Sequence, residues 1–323
     1  MKPLSRYVKK EIFLFFRYNE EKRYQSMKQY HDYMVRALAC DKQVRAFGVT
    51  SKNLVQYASD IHSLSHLASA ALGRLLSAGL MMGDMLKSEE DLLTIQFMGD
   101  GPLKHILVTA DYNGRVKGYV SNPKAELPLR EDGHLDVGRG IGKGSLTVIR
   151  DFHMKEPYSS TIPLHSGEIA DDLTYYFAQS EQTPSSVGLG VLVNPDGKIL
   201  TAGGFIIQLM PFTKKETIEK LQKNLSMIPS VTDILKVNQS PEELLKKVLD
   251  GFDIEFTSTK DVEYYCGCQE RKDSILATIG KDGLDELIKE GKEVETSCAF
   301  CEKKYHFSLE ELKKIRASLE EQK

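Results

Sequence analysis

The chain has 323 residues, 41% of them hydrophobic and 28% charged. That is the composition of a globular protein with room for two domains, or for one large domain and an appendage. A net charge of −3 argues against a surface built to coat nucleic acid, and no uncharged apolar run reaches the ~18–20 residues of a membrane span. The most apolar long stretch, His66 to Leu86, is broken by Arg74 and Asp84.

Residues 1–26 stand apart, with seven Lys/Arg against three Asp/Glu in an otherwise acidic protein. Ile12 to Phe16 is apolar but too short for the core of a secretory signal, and Glu11 flanks it. The segment reads as a poorly packed extension, or as sequence upstream of a true start at Met27 or Met34. The rival reading is a basic amphipathic helix on a membrane surface. With no recognisable signal and free cysteines, the expected compartment is the reducing cytoplasm.

From Asp32 the pattern changes. Met34–Leu38 and Val44–Val49 alternate as strands do, joined by a polar turn at Asp41-Lys42. Cys40 sits at that turn, far in sequence from the other four cysteines, and reads as a tolerated small residue. Thr50 to Tyr57 reads as a helix with Ser51 as its cap. Leu64 to Leu86 reads as a long helix of Ala, Ser, Gly, Leu and Met, apolar nearly all the way round, hence buried on most sides. His62 and His66 lack the intervening glutamate of a metalloprotease helix and read as polar residues at the helix entry.

Strands are expected at Leu92–Met98, His105–Ala110 and Val116–Val120, the last two flanking the hairpin signal Tyr112-Asn113-Gly114. Gly138, Gly140, Gly142 and Gly144 alternate with other residues. A strand, Ser145–Ile149, follows them, so the stretch reads as a glycine-rich turn and not as a dinucleotide fingerprint. Ala170 to Ser180 reads as a helix, and no G-x-S-x-G elbow exists to support a hydrolase. Gly188–Val193 and Ile199–Leu209 form a hairpin around Asn194-Pro195-Asp196-Gly197, and Met210-Pro211 closes a first domain.

Residues 212–260 carry eight acidic and eight basic residues and two short apolar stripes. One is Ile218, Leu221 and Leu225; the other is Leu244, Leu245, Val248 and Leu249, opened by Ser240 as cap and Pro241 at the first helical position. Helices this short are marginal alone and must lean on a neighbour. Residues 261–323 carry net charge −4 and hold the other four cysteines as Cys266-Gly267-Cys268, 29 residues, then Cys298-Ala299-Phe300-Cys301. Helices are expected at Ile275–Ile288 and Leu309–Ile315, with a short strand at Tyr305–Phe307. Two close thiol pairs on separate turns present four sulfurs to one tetrahedral ion, and zinc is the usual occupant of such a site. A C-x-C pair can also close into a tight, reducible disulfide, so the cluster could sense oxidation. His306 is a spare candidate, expected not to ligate. A unit this small needs a staple, and the metal is the expected one.

These cysteines, together with Gly99-Asp100-Gly101-Pro102, Ser166-Gly167-Glu168, Tyr176-Phe177, Ser180-Glu181-Gln182 with Pro184, and Ala202-Gly203-Gly204, resemble the bacterial heat shock protein 33 family. The resemblance runs from Met27 or Asp32 to the end and leaves residues 1–26 outside it. It carries no role to Cys40. It implies an α+β fold with an N-terminal domain of β-sheets around a buried central helix (27–211), a helical, metastable linker (212–260) and a small zinc-binding redox switch (261–323). It implies no enzyme but an ATP-independent holdase chaperone. Reduced, the family's protein binds one Zn2+ per chain through thiolates, here Cys266, Cys268, Cys298 and Cys301, and is inactive. Peroxide with heat, or hypochlorous acid, would pair Cys266 with Cys268 and Cys298 with Cys301, release the metal, unfold switch and linker, and give a homodimer that holds unfolding client proteins. No nucleic acid or membrane partner is implied. Two other classes stay open: a zinc-ribbon nucleic-acid module, disfavoured by the acidic tail, and a thiol–disulfide oxidoreductase, disfavoured because no thioredoxin-like βαβ unit precedes Cys298-x-x-Cys301.

Overall fold

The chain is organised round one helix without a polar face. In the computed structural model, which describes residues 31–268, 276 and 279–321, α2 (His66–Gly83) buries every residue except His66 and Arg74. It opens on Ser65, whose hydroxyl accepts from Ala68 N–H at 3.1 Å. Its small residues let two sheets close on it: a Cβ built at Gly79 would lie 2.7 Å from Val108, and one at Gly83 only 2.6 Å from the Asp111 carbonyl. Arg74, the one interior charge, reaches Glu168 at 2.8 Å.

One sheet has five antiparallel strands in the order β10-β1-β2-β9-β8. These are β1 (Tyr33–Ala39), β2 (Val44–Thr50), β8 (Ser185–Val193), β9 (Ile199–Leu209) and β10 (Ile254–Asp261). The other has six in the order β11-β5-β4-β3-β6-β7. Here β3 (Leu92–Gly99), β4 (His105–Asp111), β5 (Arg115–Val120), β6 (Gly144–Asp151) and β7 (Tyr158–Pro163) run antiparallel, and β11 (Glu263–Tyr264) joins β5 in parallel. Helix α2 touches β2, β8 and β9 on one side and β3, β4 and β5 on the other. The mixed α+β architecture around a buried helix is therefore the one expected.

Several local expectations change. Ser51 precedes α1 (Lys52–His62) but does not cap it; its hydroxyl pairs with Ser77 at 2.7 Å. The cap comes from Asp32, whose carboxylate accepts from Leu54 N–H at 2.7 Å. His62 and His66 are not two turns of one helix entry: His62 ends α1 and is buried, while His66 starts α2. The glycine-rich stretch forms a short helix, α3 (Val137–Ile141), capped by Asp136, and leaves it through Gly142 at φ +78. Asp100 of the Gly-Asp-Gly-Pro turn accepts from Lys143 N–H at 2.7 Å, so these two motifs brace each other. Strand β7 was not legible, because its hydroxyl-rich sequence lacks an apolar alternation. Helix α4 (Ile169–Gln179) falls where expected.

On the outer face of the five-stranded sheet lie α5 (Lys215–Met227), α6 (Val231–Val237) and α7 (Pro241–Val248). Their stripes, including Leu221, Leu235, Leu244 and Leu245, pack on Ala37, Val44, Ala46 and Ile207. Ser240 caps α7 with Pro241 in its first turn, as the sequence implies. The same stretch ends in a strand that its sequence did not reveal: β10 pairs with β1 from Tyr33↔Asp261 to Ala39↔Ile254. A third, small core follows, in which Leu276 joins side chains of α8 (Gly280–Glu290), the hairpin β12 (Val294–Ser297)–β13 (Lys304–Phe307), and α9 (Leu309–Glu321). Residues 1–26, and the start of the helix expected at Ile275, lie outside the described residues.

Candidate metal centre

The first cysteine pair is delivered by the edge of the six-stranded sheet. After β11, Tyr265 N–H donates to the Val116 carbonyl at 3.0 Å, which fixes where the next residues emerge. Gly267 then takes φ +65, a left-handed conformation that glycine adopts without a Cβ penalty, and Cys266 and Cys268 turn to one side. The second pair sits at the tip of the β12–β13 hairpin. Cys298 N–H donates to Lys303 O at 3.0 Å, and the Cys298 carbonyl accepts from Cys301 N–H at 3.3 Å and Glu302 N–H at 2.8 Å. This tight turn points both of its sulfurs at the first pair.

All four Sγ atoms lie within 4.8 Å of one another, the one such group of His, Cys, Asp or Glu among the described residues. Cys266 and Cys298 are 3.5 Å apart and Cys268 and Cys301 3.3 Å. Zinc–sulfur bonds of ~2.3 Å at tetrahedral angles would set sulfurs ~3.8 Å apart, so the donor set and its spacing fit one tetrahedral ion. Burial, with hydrogen bonding to Cys268 and Cys298, pushes the Cys266 thiol far up; burial likewise raises Cys301, to about 11. Cys268 goes the other way: burial opposes its ionisation, but hydrogen bonds from Tyr305 (3.0 Å) and the other thiols outweigh it and bring it down to about 7. A divalent ion would let all four ionise.

A ring of side chains ties the cluster to the sandwich. Lys117 of β5 donates to the Cys266 carbonyl at 3.1 Å. The Tyr264 hydroxyl, buried and therefore hard to ionise, lies between the Gly118 carbonyl at 2.8 Å and the Phe300 carbonyl inside the Cys298–Cys301 turn. His62 bridges Tyr264 and Glu302, each at 3.3 Å. Phe300 packs edge-to-face on Tyr119, centroids 5.4 Å apart, with the Lys117 ammonium 4.8 Å from its ring centroid. Sequence reasoning missed this ring, because its partners are 36 to 240 residues apart and no local pattern joins them. Cys266, Cys268 and Cys301 also line a cleft of roughly 520 Å³ with Tyr57, Tyr265 and Lys303.

The remaining candidates lie elsewhere. His306 is exposed on β13, opposite Glu295, outside the cluster. Cys40 lies in the β1–β2 turn at φ +51, its sulfur 3.3 Å from the Thr217 hydroxyl of α5. No helix among the described residues is long and apolar enough to cross a membrane.

Comparison with known proteins agrees with this architecture. The family model described as Hsp33 protein matches residues 32–308. A 33 kDa chaperonin of Agathobacter rectalis is 49% identical over 286 residues, 88% of this chain and 99% of its own length. One from Clostridioides difficile is 47% identical over 286 residues, 88% of this chain and 98% of its own. The crystal structure of the 33 kDa chaperonin of Thermotoga maritima superposes with a TM-score of 0.80 at 36% identity, over 90% of this chain and all of that one. Sequence, family model and superposed fold agree over the same residues, and the chain belongs to the Hsp33 family.

Proposed function

We propose that this protein is a redox-regulated, ATP-independent chaperone of the cytoplasm that holds unfolding proteins during oxidative stress and is not an enzyme. Its relatives carry the name chaperonin. The observation that carries the regulatory part is the cluster of four thiols within 4.8 Å, standing where the small C-terminal core meets the sandwich. In this reading residues 27–211 are the chaperone core, 212–260 the conditional linker and 261–323 the switch. Cys266, Cys268, Cys298 and Cys301 hold one Zn2+ per chain as thiolates. Bound there, the ion supplies cross-linking of two chain segments and deprotonation of four thiols.

Each disulfide takes two electrons from two thiols, which a peroxide or hypochlorous acid accepts while being reduced to water or chloride. The resting distances do not choose the pairing, since the shortest contacts are Cys266–Cys298 and Cys268–Cys301. The pairs Cys266–Cys268 and Cys298–Cys301 are the ones the family resemblance implies. Loop entropy is compatible with them, since sulfurs two or three residues apart stay close once the small core loosens. With both formed, no thiolate is left to hold a metal, and the switch unfolds. The linker, which is joined to the switch through the edge strand β10, then loosens from the five-stranded sheet, and the oxidised chain dimerises and holds clients.

The test measures zinc content and light scattering of a thermally unfolding protein on one sample, before and after oxidation. About one zinc per chain when reduced, lost as aggregation becomes suppressed, is the expected result. Zinc retained on oxidation, or lost without any gain in suppression, refutes the switch.

A further inference from the structure

The six-stranded sheet has a second face, turned away from α2. Its side chains run in cross-strand rows. One row reads Tyr119, Leu107, Gln96, Thr147 and Thr161 across β5, β4, β3, β6 and β7. Every member is exposed or half-buried. In this row and its two neighbours, through His105 and Thr109, Lys117 is the sole formal charge. Burial lowers the pKa of His105, whose ring meets Tyr119 edge-on at 5.8 Å, so the imidazole stays neutral at neutral pH. The far end of the face is β7, an edge strand that carries no charge from Tyr158 to Pro163. An uncharged face of hydroxyls and apolar groups beside an unguarded edge is what soluble proteins ordinarily cover or blunt.

One group of this chain already sits on the near end. Phe300, from the turn between Cys298 and Cys301, packs on Tyr119 under the Lys117 ammonium. That contact shows what the end of the face accepts: an aromatic ring, held edge-on by a phenol and from above by a cation. The ring is carried by the element whose integrity depends on the cysteine cluster.

We propose that the Tyr119–Leu107–Lys117 end of this face is a docking site for an aromatic residue of an extended, unfolded polypeptide, and that Phe300 occupies it until the cysteine-bearing unit unfolds. The inference rests on the holdase reading above and names its client surface. Unfolding of the switch carries Phe300 away, frees Tyr119 and Lys117, and opens the row toward β7, along which an extended segment has room to lie. Lys117 is the one charge at the site and stacks over the docked ring, so the site selects aromatic segments and disfavours basic ones, which separates an unfolding protein from a native surface.

The probe is a fluorescent, uncharged twelve-residue peptide carrying one phenylalanine, compared with its alanine counterpart by anisotropy on the full chain. The oxidised protein should bind the phenylalanine peptide at least 10-fold more tightly than the alanine peptide, and the reduced protein should bind neither. Tyr119→Leu, which keeps apolar bulk in the sheet, and Tyr119→Ser should each erase that preference in protein taken to full oxidation, with both disulfides verified by thiol counting before binding is measured. Phe300→Ala should admit the phenylalanine peptide to the reduced protein. Circular dichroism melts identify a variant that fails to fold, and Tyr119→Leu then decides. Should the preference survive in Tyr119→Leu, the proposal is wrong while the holdase reading stands. Should the oxidised wild type not suppress aggregation at all, both fall.

Discussion

The sandwich and the cysteine-bearing unit solve the same problem with different means. Around α2, Leu72, Leu75, Leu76, Leu80 and Met81 are fully buried between two sheets. Ionic chemistry there is marginal, with Arg74 and Asp84 each held by a partner at the edge. The C-terminal unit has only a handful of buried apolar side chains, Leu276, Leu284, Phe307, Leu312 and Ile315 among them, and its core runs directly into the sulfurs of Cys298 and Cys301. The first region is stable because water is excluded from a large apolar interior. In the proposed function the second is stable only while its thiols are held together. Oxidants act on sulfur and not on leucine, so the proposed switch would let oxidation undo one part of the chain and leave the other in place.

The largest expected effect breaks the second region alone. Cys298→Ser removes one donor from the proposed zinc site, and structural zinc typically contributes ~10–16 kcal/mol of apparent binding free energy. The variant should bind zinc far more weakly, and the β12–β13 hairpin should lose hydrogen-exchange protection even in reductant. The melting transition of the sandwich should stay in place. Stoichiometric zinc with unchanged protection would show that the unit does not depend on the metal. Leu76→Ala is the mirror experiment. Leu76 is fully buried in α2, and truncation of such a residue costs about 2–5 kcal/mol through lost burial and the cavity left behind. Urea unfolding of the sandwich should shift by that amount with zinc affinity untouched.

How much of this contrast was legible in the sequence follows from the range of the interactions. Helix α2 was legible because burial on all sides writes itself into composition, and α7 because its cap and proline are local. The four cysteines were legible because spacing alone brings each pair together. Strands β7 and β10 were not: both are edge strands, with exposed hydroxyl or charged residues and no alternation to detect. The cap of α1 was misplaced for a related reason. Ser51 has the right residue type in the right place, but Asp32, some twenty residues earlier, arrives through the sheet and takes the N–H groups. The ring formed by His62, Lys117, Tyr119 and Tyr264 is wholly a product of tertiary structure.

Asp32 supplies a pH handle on the sandwich. Burial, only partly offset by the N–H groups of Leu54, Asn53 and Lys52, raises its pKa to about 6. The native state therefore binds the proton more tightly than the unfolded chain. Asp32's contribution is fully present below about pH 4 and is lost as pH rises through about 6, by at most ~3 kcal/mol. Asp32→Asn keeps an oxygen for the α1 cap without burying a charge. It should flatten the stability profile between pH 4 and 6 and be the more stable protein at pH 7. A variant that melts lower than wild type at pH 7 would mean that the charge is needed by the helix.

The smallest expected effect lies at the seam. Tyr264→Phe keeps the ring against Tyr57 and deletes one hydroxyl, the group that stands between the Gly118 carbonyl and the Phe300 carbonyl. A buried hydrogen bond of this kind contributes about 1 kcal/mol net, and up to ~3 kcal/mol where a carbonyl is left unpaired. Neither the cysteine donors nor α2 change, so zinc affinity and the melting of the isolated transitions should hardly move. The coupling between the two regions should change. With the Cys298–Cys301 turn less firmly held against β5, the switch should open more often, and its amides should exchange about 5- to 100-fold faster at the same oxidant-free pH. The oxidant dose needed to suppress client aggregation should fall in step. If exchange quickens while that dose stays fixed, the seam only positions the unit and the thiols alone set the threshold. If both move together, the hydroxyl of Tyr264 is part of what keeps the reduced protein closed.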